Sequence, residues 1–216
     1  MNSASDEMPV KRGRPRDPAR MQRVLNAAKT QFLQQGFTAT SMESIAKASG
    51  VSKMTIYNYF PTKEALFESC IANRTDEVFH LSKLHNSPNH NQQLPPPIQV
   101  LQQIATQFVA LMRDPEVLAM HRIMIASAGQ HPEICQSFFA QGCLRLNQQV
   151  TAYLDLANQN GTLRVVDPQR AADQFLSLCL GRQHLQGLLM LGAPSAAEDS
   201  EMIRANVEIF LGVYAR

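Results

Sequence analysis

The sequence predicts an all-α protein of about nine helices, and three observations carry that prediction. Apolar residues recur at spacings of three and four through most of the chain. No run of alternating β-branched residues marks a strand. X-Pro pairs and glycines punctuate the periodic stretches where helices should start and stop. With 216 residues, 44% of them hydrophobic and 18% charged, the chain suffices for one large domain, or a small one and a larger one, with a packed core.

Asp17-Pro18 opens the first helix, with Asp17 as cap and Pro18 at a position whose missing N–H costs nothing. Met21, Val24, Leu25, Ala28 and Phe32 form its apolar stripe, and Gly36 ends it. A short second helix starts near Thr40 or Ser41, where Thr40-x-x-Glu43 has the form of a capping box, and stops at Gly50. A tight turn separates it from a third helix running from Ser52 to about Tyr59. Pro61 breaks the chain, and Thr62 restarts it as a fourth helix bearing Leu66, Phe67, Cys70, Ile71 and Val78. The stretch NSPNHNQQLPPP, residues 86–97, has no apolar period and is predicted to be a loop. Beyond it the pattern predicts helices at about 98–112, 115–127, 132–159, 168–191 and 196–214, three of them opened by Asp114-Pro115, His131-Pro132 and Asp167-Pro168.

No apolar run reaches the roughly 20 residues of a membrane span, and the first ten residues lack the apolar core of a signal peptide, so a cytoplasmic protein with no membrane partner is expected. The four cysteines lie far apart, without a C-x-x-C pair, which favours reduced, buried thiols over a disulfide framework or a zinc site.

The net charge of +2 is unevenly distributed. Residues 9–63 hold ten basic side chains against two acidic ones, a net +8; the first eight residues carry −2 and residues 64–216 carry −4. A basic end on a mildly acidic body is the signature of a polyanion reader attached to something else, whether the polyanion is nucleic acid or an anionic membrane.

Two short helices joined at Gly50, the second with a polar outer face, fit a helix-turn-helix over about residues 41–60. The segment from Phe32 to Phe67 resembles the amino-terminal domain of the tetracycline-repressor (TetR) family of bacterial transcription regulators. The resemblance lies in Gly36-Phe37, Thr40-Ser41, Ile45-Ala46, Ala48-x-Gly50-Val51-Ser52, Ile56-Tyr57-x-Tyr59-Phe60 and Lys63-Glu64-x-Leu66-Phe67. It covers residues 18–70 and implies a division into a flexible basic arm (1–17), a DNA-binding domain (18–66) and a helical effector-binding and dimerisation domain (67–216).

The residues themselves agree with that role. With Val51, Ile56 and Phe60 turned inward, the third helix presents Ser52, Lys53, Met54, Thr55, Tyr57, Asn58 and Tyr59 to a major groove. Thr55 and Asn58 can bond base edges, and Met54 can touch a thymine methyl. Asn58 also suits a phosphate, and Tyr59 also suits a half-buried core position. Thr40 and Ser41, at a helix N-terminus, suit a phosphate oxygen. Lys63 opposes its own helix dipole, so it is explained either by a phosphate partner or by plain solvation. Arg12, Arg14 and Arg16 flank Gly13 and Pro15 in an arm that either enters a minor groove or adds only sequence-independent affinity.

Residues 168–191 are apolar on most sides and call for burial on most sides. The resemblance implies that helices 168–191 and 196–214 pair with a second copy, giving a homodimer that reads a near-palindromic operator. It also implies a small-molecule effector pocket, for which the candidates are Phe108, Met112, His121, Met124, Phe138, Cys179 and Arg182. Arg122 and His184 are further polar residues in apolar stretches; Arg182 and the histidines are equally explained as satisfied structural groups, and the Met and Phe residues as core. A repressor released by an effector is the expected function, a ligand-independent activator of the same fold the alternative. An enzyme is disfavoured because the chain has no phosphate loop, G-x-S-x-G or H-E-x-x-H motif, and no cofactor is expected. His80, His85 and His90 recur at a spacing that scatters them around a helix, a poor metal geometry. A membrane-surface role is disfavoured because the third helix offers polar groups where an insertion face would be apolar.

Overall fold

A computed structural model describes residues 17–78 and 95–215. The arm arginines Arg12, Arg14 and Arg16, and His80, His85 and His90, lie outside the described residues. The elements are α1 (Pro18–Ala39), α2 (Met42–Ser49), α3 (Lys53–Tyr59), α4 (Lys63–Val78), α5 (Pro97–Arg113), α6 (Pro115–Ser127), α7 (Pro132–Phe138), a π-helical turn (Phe139–Leu144), α8 (Arg145–Gln159), α9 (Pro168–Leu188) and α10 (Ala196–Tyr214). Among the described residues there is no strand; a single antiparallel bridge joins Leu163 to Ala215 beside the end of α10.

The caps read from sequence are in place with one substitution. Asp17, Asp114 and Asp167 each accept backbone N–H groups of the first turns of α1, α6 and α9. At α2 the cap is Ser41, paired reciprocally with Ser44, and not Thr40 with Glu43. Thr40 stands one residue too early: it is 2% exposed, and its hydroxyl donates to the Gly36 carbonyl at 2.8 Å. Gly36, at φ 76° and ψ 174°, breaks α1 in a conformation that a side chain would strain. The turn it creates lets Phe37 fold back onto Phe32 and Phe67, with ring centroids 4.9–5.7 Å apart.

Two helices depart from expectation. The predicted 132–159 helix is interrupted by the π-helical turn, and the predicted 168–191 helix stops at Leu188 and breaks inside at Gly181, φ 57° and ψ −179°. Just before the break, the Leu178 carbonyl accepts from Nδ2 of Asn206 on α10 at 2.8 Å.

The core has two parts. One gathers Val24, Phe32, Phe37, Ile45, Ile56, Leu66, Phe67 and Cys70 from α1–α4 and extends into the body through Met120, Met124 and Ile134. The other joins α5, α8, α9 and α10 around Leu101, Ile104, Leu154, Phe175 and Phe210. Each fully buried Leu, Ile or Phe contributes about 1.5–3 kcal/mol of transfer free energy. Residues 168–191, expected to be covered on most sides, are covered within one chain only in part: Phe175 and Cys179 are buried, but the end of the segment is not. Leu185, Leu189, Met190 and Leu191 are exposed, as are Ile209 and Val213 of α10.

Candidate functional site

The outer face of α3 is set by how little of that helix is buried. Only Ile56 within it is fully enclosed, with Val51 before it and Phe60 after it as flanking anchors. Ser52, Lys53, Met54, Tyr57 and Asn58 are therefore exposed together, Met54 at 76%, and Thr55 is half-buried beside them. Ser52 caps the helix, and its hydroxyl also lies 2.8 Å from that of Thr55. Lys53 pairs with Glu43 of α2 across the turn, and its ammonium sits 5.8 Å from the centre of the Tyr57 ring. The pairing lowers the Glu43 pKa and raises that of Lys53. Both groups are solvated, so the bond is weak.

Three of the sequence candidates are held by the protein itself. Tyr59 is half-buried, and its hydroxyl accepts from the Asp17 N–H at 3.2 Å, fastening α3 to the start of α1. Thr40 is buried, as described. Lys63 donates to the carbonyls of Phe37 at 2.8 Å, Thr40 at 2.9 Å and Thr38 at 3.4 Å, and its ammonium lies 4.3 Å from the Phe37 ring centre. Those carbonyls follow the Gly36 break and have lost helical partners, so the ammonium's three donors close the end of α1. Burial lowers the lysine's pKa. Ser41 is half-buried in a hydroxyl network with Ser44 and Gln31. Gln31, an apparently ordinary polar residue of a long helix, gave no sequence signal for that contact.

Between α1, α4 and the body lies a cavity of about 290 Å³. Phe108, Met112, His121 and Phe138, four of the seven pocket candidates, line it. Met124 does not: it packs in the core shared with α1–α4. Cys179 is sealed in the body core. Arg182 is exposed, because Gly181 resets the helical phase and the three- and four-residue spacing to Leu178 and Cys179 no longer defines one face. The cavity wall also holds residues that sequence reasoning missed. Lys29 of α1 and Cys70 and Ile71 of α4 reach it from the amino-terminal helices, and Glu116, Asn147 and Asp173 from the body. Lys29 is bridged to Glu116 at 3.0 Å. No periodicity within either helix could have matched that pair across 87 positions.

The polar part of the cavity is organised by two histidines. Nδ1 of His121 lies 3.3 Å from Nε2 of His184, whose own Nδ1 lies 3.3 Å from the Met112 carbonyl. Burial, with the neighbouring His184 adding to it, pushes the His121 pKa down to about 4, and burial also lowers that of His184, so both rings are neutral at pH 7. Opposite them, Asn147 donates to Asp173 at 2.6 Å. Among the described residues no group of three or more His, Cys, Asp or Glu is arranged to hold a metal ion, and no helix is long and apolar enough to cross a membrane.

Known proteins share this architecture. Residues 24–70 match the family model described as bacterial regulatory proteins, tetR family, and residues 99–216 match that of the AefR-like transcriptional repressor, C-terminal domain. The solved structure of a protein described as a TetR-family regulator of Mesorhizobium loti is 26% identical, with a TM-score of 0.77 over 94% of this chain and all of that one. The flavonoid-responsive regulator FrrA is 33% identical, with a TM-score of 0.72 over 92% of this chain and 98% of its own. Among curated relatives, the HTH-type transcriptional regulator YhgD of Bacillus subtilis is 24% identical over 72% of this chain and 78% of its own. YdeS of the same organism is 39% identical, but the match spans only 36% of that protein and 33% of this one. With one family model covering more than half the chain, and the other lying over the helix-turn-helix whose outer face α3 presents, the chain belongs to the TetR family of transcriptional regulators, which are not enzymes.

Proposed function

We propose that the protein is a repressor that binds a near-palindromic DNA operator as a homodimer and is released by a small organic molecule entering the cavity between α1, α4 and the body. The observation that carries this reading is the shared cavity wall. A ligand there touches Lys29, Cys70 and Ile71 of the amino-terminal helices and Glu116, His121 and Phe138 of the body together. Its binding free energy depends on how the two are placed, and that dependence is what a ligand-driven shift between two conformations requires.

In this reading residues 1–17 form the arm, 18–66 the DNA-reading head, and 67–216 the effector and dimerisation body, with α4 running from one into the other. Ser52, Lys53, Met54, Thr55, Tyr57 and Asn58 enter the major groove, Ser41 reaches a backbone phosphate, and Arg12, Arg14 and Arg16 add contacts from the arm. Thr40, Tyr59 and Lys63 act by holding α2 and α3 at the right angle. The exposed Leu185, Leu189, Ile209 and Val213 supply the apolar surface of a two-fold interface. FrrA, the 33% identical relative, is by name responsive to flavonoids. Its resemblance across the body supports a small organic effector here.

Electrophoretic mobility shift of fragments of the source genome at low salt, with and without a library of small aromatic compounds, tests the reading. Retarded complexes that a compound dissolves are expected. The absence of any retarded fragment would overturn the DNA-binding part, and complexes indifferent to every compound that binds the protein would overturn the release part.

A further inference from the structure

The hydrogen bonds around the cavity fix which way its polar wall is facing. A backbone carbonyl can only accept, so Nδ1 of His184, 3.3 Å from the Met112 oxygen, carries that ring's proton. A neutral imidazole has one N–H, which makes Nε2 of His184 an acceptor. Nδ1 of His121, 3.3 Å away, must then donate to it. The second nitrogen of His121, Nε2, is left with a bare lone pair. It has no hydrogen-bond partner among the described residues, and it belongs to a ring that lines the cavity edge-on to Phe138 at 5.1 Å.

The charges around the cavity give a second, independent constraint. The cation in its wall, Lys29, is already bridged to Glu116 at 3.0 Å, and Asp173, exposed at the rim, adds an unmatched negative charge beside Asn147. Among the wall residues a carboxylate or phosphate ligand would meet one carboxylate more than cations, and Arg113, whose charge reaches His184 from outside the wall, is bridged to Asp199 at 3.3 Å. The remaining surface is apolar and partly aromatic, as at Phe108, Met120 and Leu180, and about 290 Å³ holds a molecule of two or three rings.

We infer that the cavity is built for an uncharged aromatic molecule that donates a hydrogen bond to Nε2 of His121, the chemistry of a phenolic hydroxyl. The inference rests on the proposed reading of the cavity as the effector site. It adds the polarity of the contact, the charge class of the ligand and the part of His184, which is a positioning residue: it does not meet the ligand but holds His121 in the tautomer that accepts.

Isothermal titration of the full chain with para-hydroxybiphenyl, para-methoxybiphenyl and biphenyl-para-carboxylate separates the possibilities. The hydroxyl compound should bind about tenfold more tightly than its methyl ether, and the carboxylate more weakly than both. His121→Phe should bring the hydroxyl-to-methoxy ratio to near one while keeping the affinity for the ether, which also reports an intact fold. His184→Phe leaves His121 in place but removes the acceptor for its Nδ1; the ratio should fall there too, since either tautomer of His121 is then available. Equal affinity for hydroxyl and ether in the wild-type protein, a preference for the carboxylate, or an undiminished ratio in His184→Phe would overturn the inference and leave the cavity as an effector site. Binding of none of the three compounds would overturn the inference and the effector-site reading together.

Discussion

Lys63 separates two accounts of one residue, a phosphate contact or a brace for the reading head. The substitution that decides between them is Lys63→Met, which keeps the aliphatic stem over Phe37 and deletes the ammonium. Three carbonyls, of Phe37, Thr38 and Thr40, then lose their donor. A hydrogen bond to a charged group contributes roughly 1.5–3 kcal/mol, so the two short bonds set a ceiling near 6 kcal/mol. The lysine is only half-buried and water can replace its ammonium at the carbonyls, which reduces the expected loss to about 1–2 kcal/mol. For a chain of this length that corresponds to a fall of about 2–8 °C in Tm. Urea denaturation gives the stability, and DNA titration by fluorescence anisotropy at several salt concentrations gives the slope of affinity against salt. A brace predicts lower stability, weaker DNA binding and an unchanged salt slope. A phosphate contact predicts unchanged stability and a slope smaller by about 0.9 for each lysine removed. Wild-type stability with a reduced slope would refute the brace.

Three further outcomes follow from the same geometry. Tyr57→Ala removes an exposed ring from the centre of the α3 face and should weaken DNA binding at least about tenfold with the elution volume in size-exclusion chromatography unchanged; wild-type affinity would remove Tyr57 from the interface. Leu185→Glu combined with Leu189→Glu places charges on the exposed apolar face of α9 and should convert a dimer into a monomer in light scattering at micromolar concentration, whereas a persistent dimer would move the interface elsewhere. His121 is held near pKa 4 in the folded chain and titrates near 6.5 when unfolded, so the unfolded state takes up its proton first as pH falls. Wild-type protein should accordingly lose up to about 3 kcal/mol more stability than His121→Phe between pH 6.5 and 4, with no difference in slope between pH 7 and 8 in denaturant titrations.

The parts of this molecule legible in its sequence are those governed by short-range rules. Asp17-Pro18, Asp114-Pro115 and Asp167-Pro168 announced helix starts because a cap and its N–H groups lie within three residues. The face of α3 was legible because Val51, Ile56 and Phe60 leave only one inward side. Capping at α2 slipped by one residue because serine at 41 and threonine at 40 both satisfy the local rule, and burial of Thr40 against Gly36 decided between them. Gly181 was visible as a residue but not as a break, since helices tolerate single glycines and nothing in the local spacing marks the positive φ of 57° that it adopts. The cavity was half-legible. Polar residues inside apolar stretches flagged His121 and His184, but the pairs Lys29–Glu116 and Asn147–Asp173 join distant segments that only tertiary packing brings together.

Footprinting of the full-length protein on DNA fragments selected from the source genome tests the central claim most directly, since it asks whether two copies of α3 read one site. The account predicts two protected half-sites related by a near-palindrome, centred about one helical turn or a small multiple of it apart, and loss of both protections together when a cavity ligand is added. A single protected half-site, protection without sequence preference, or a footprint that survives saturation of the cavity would contradict it.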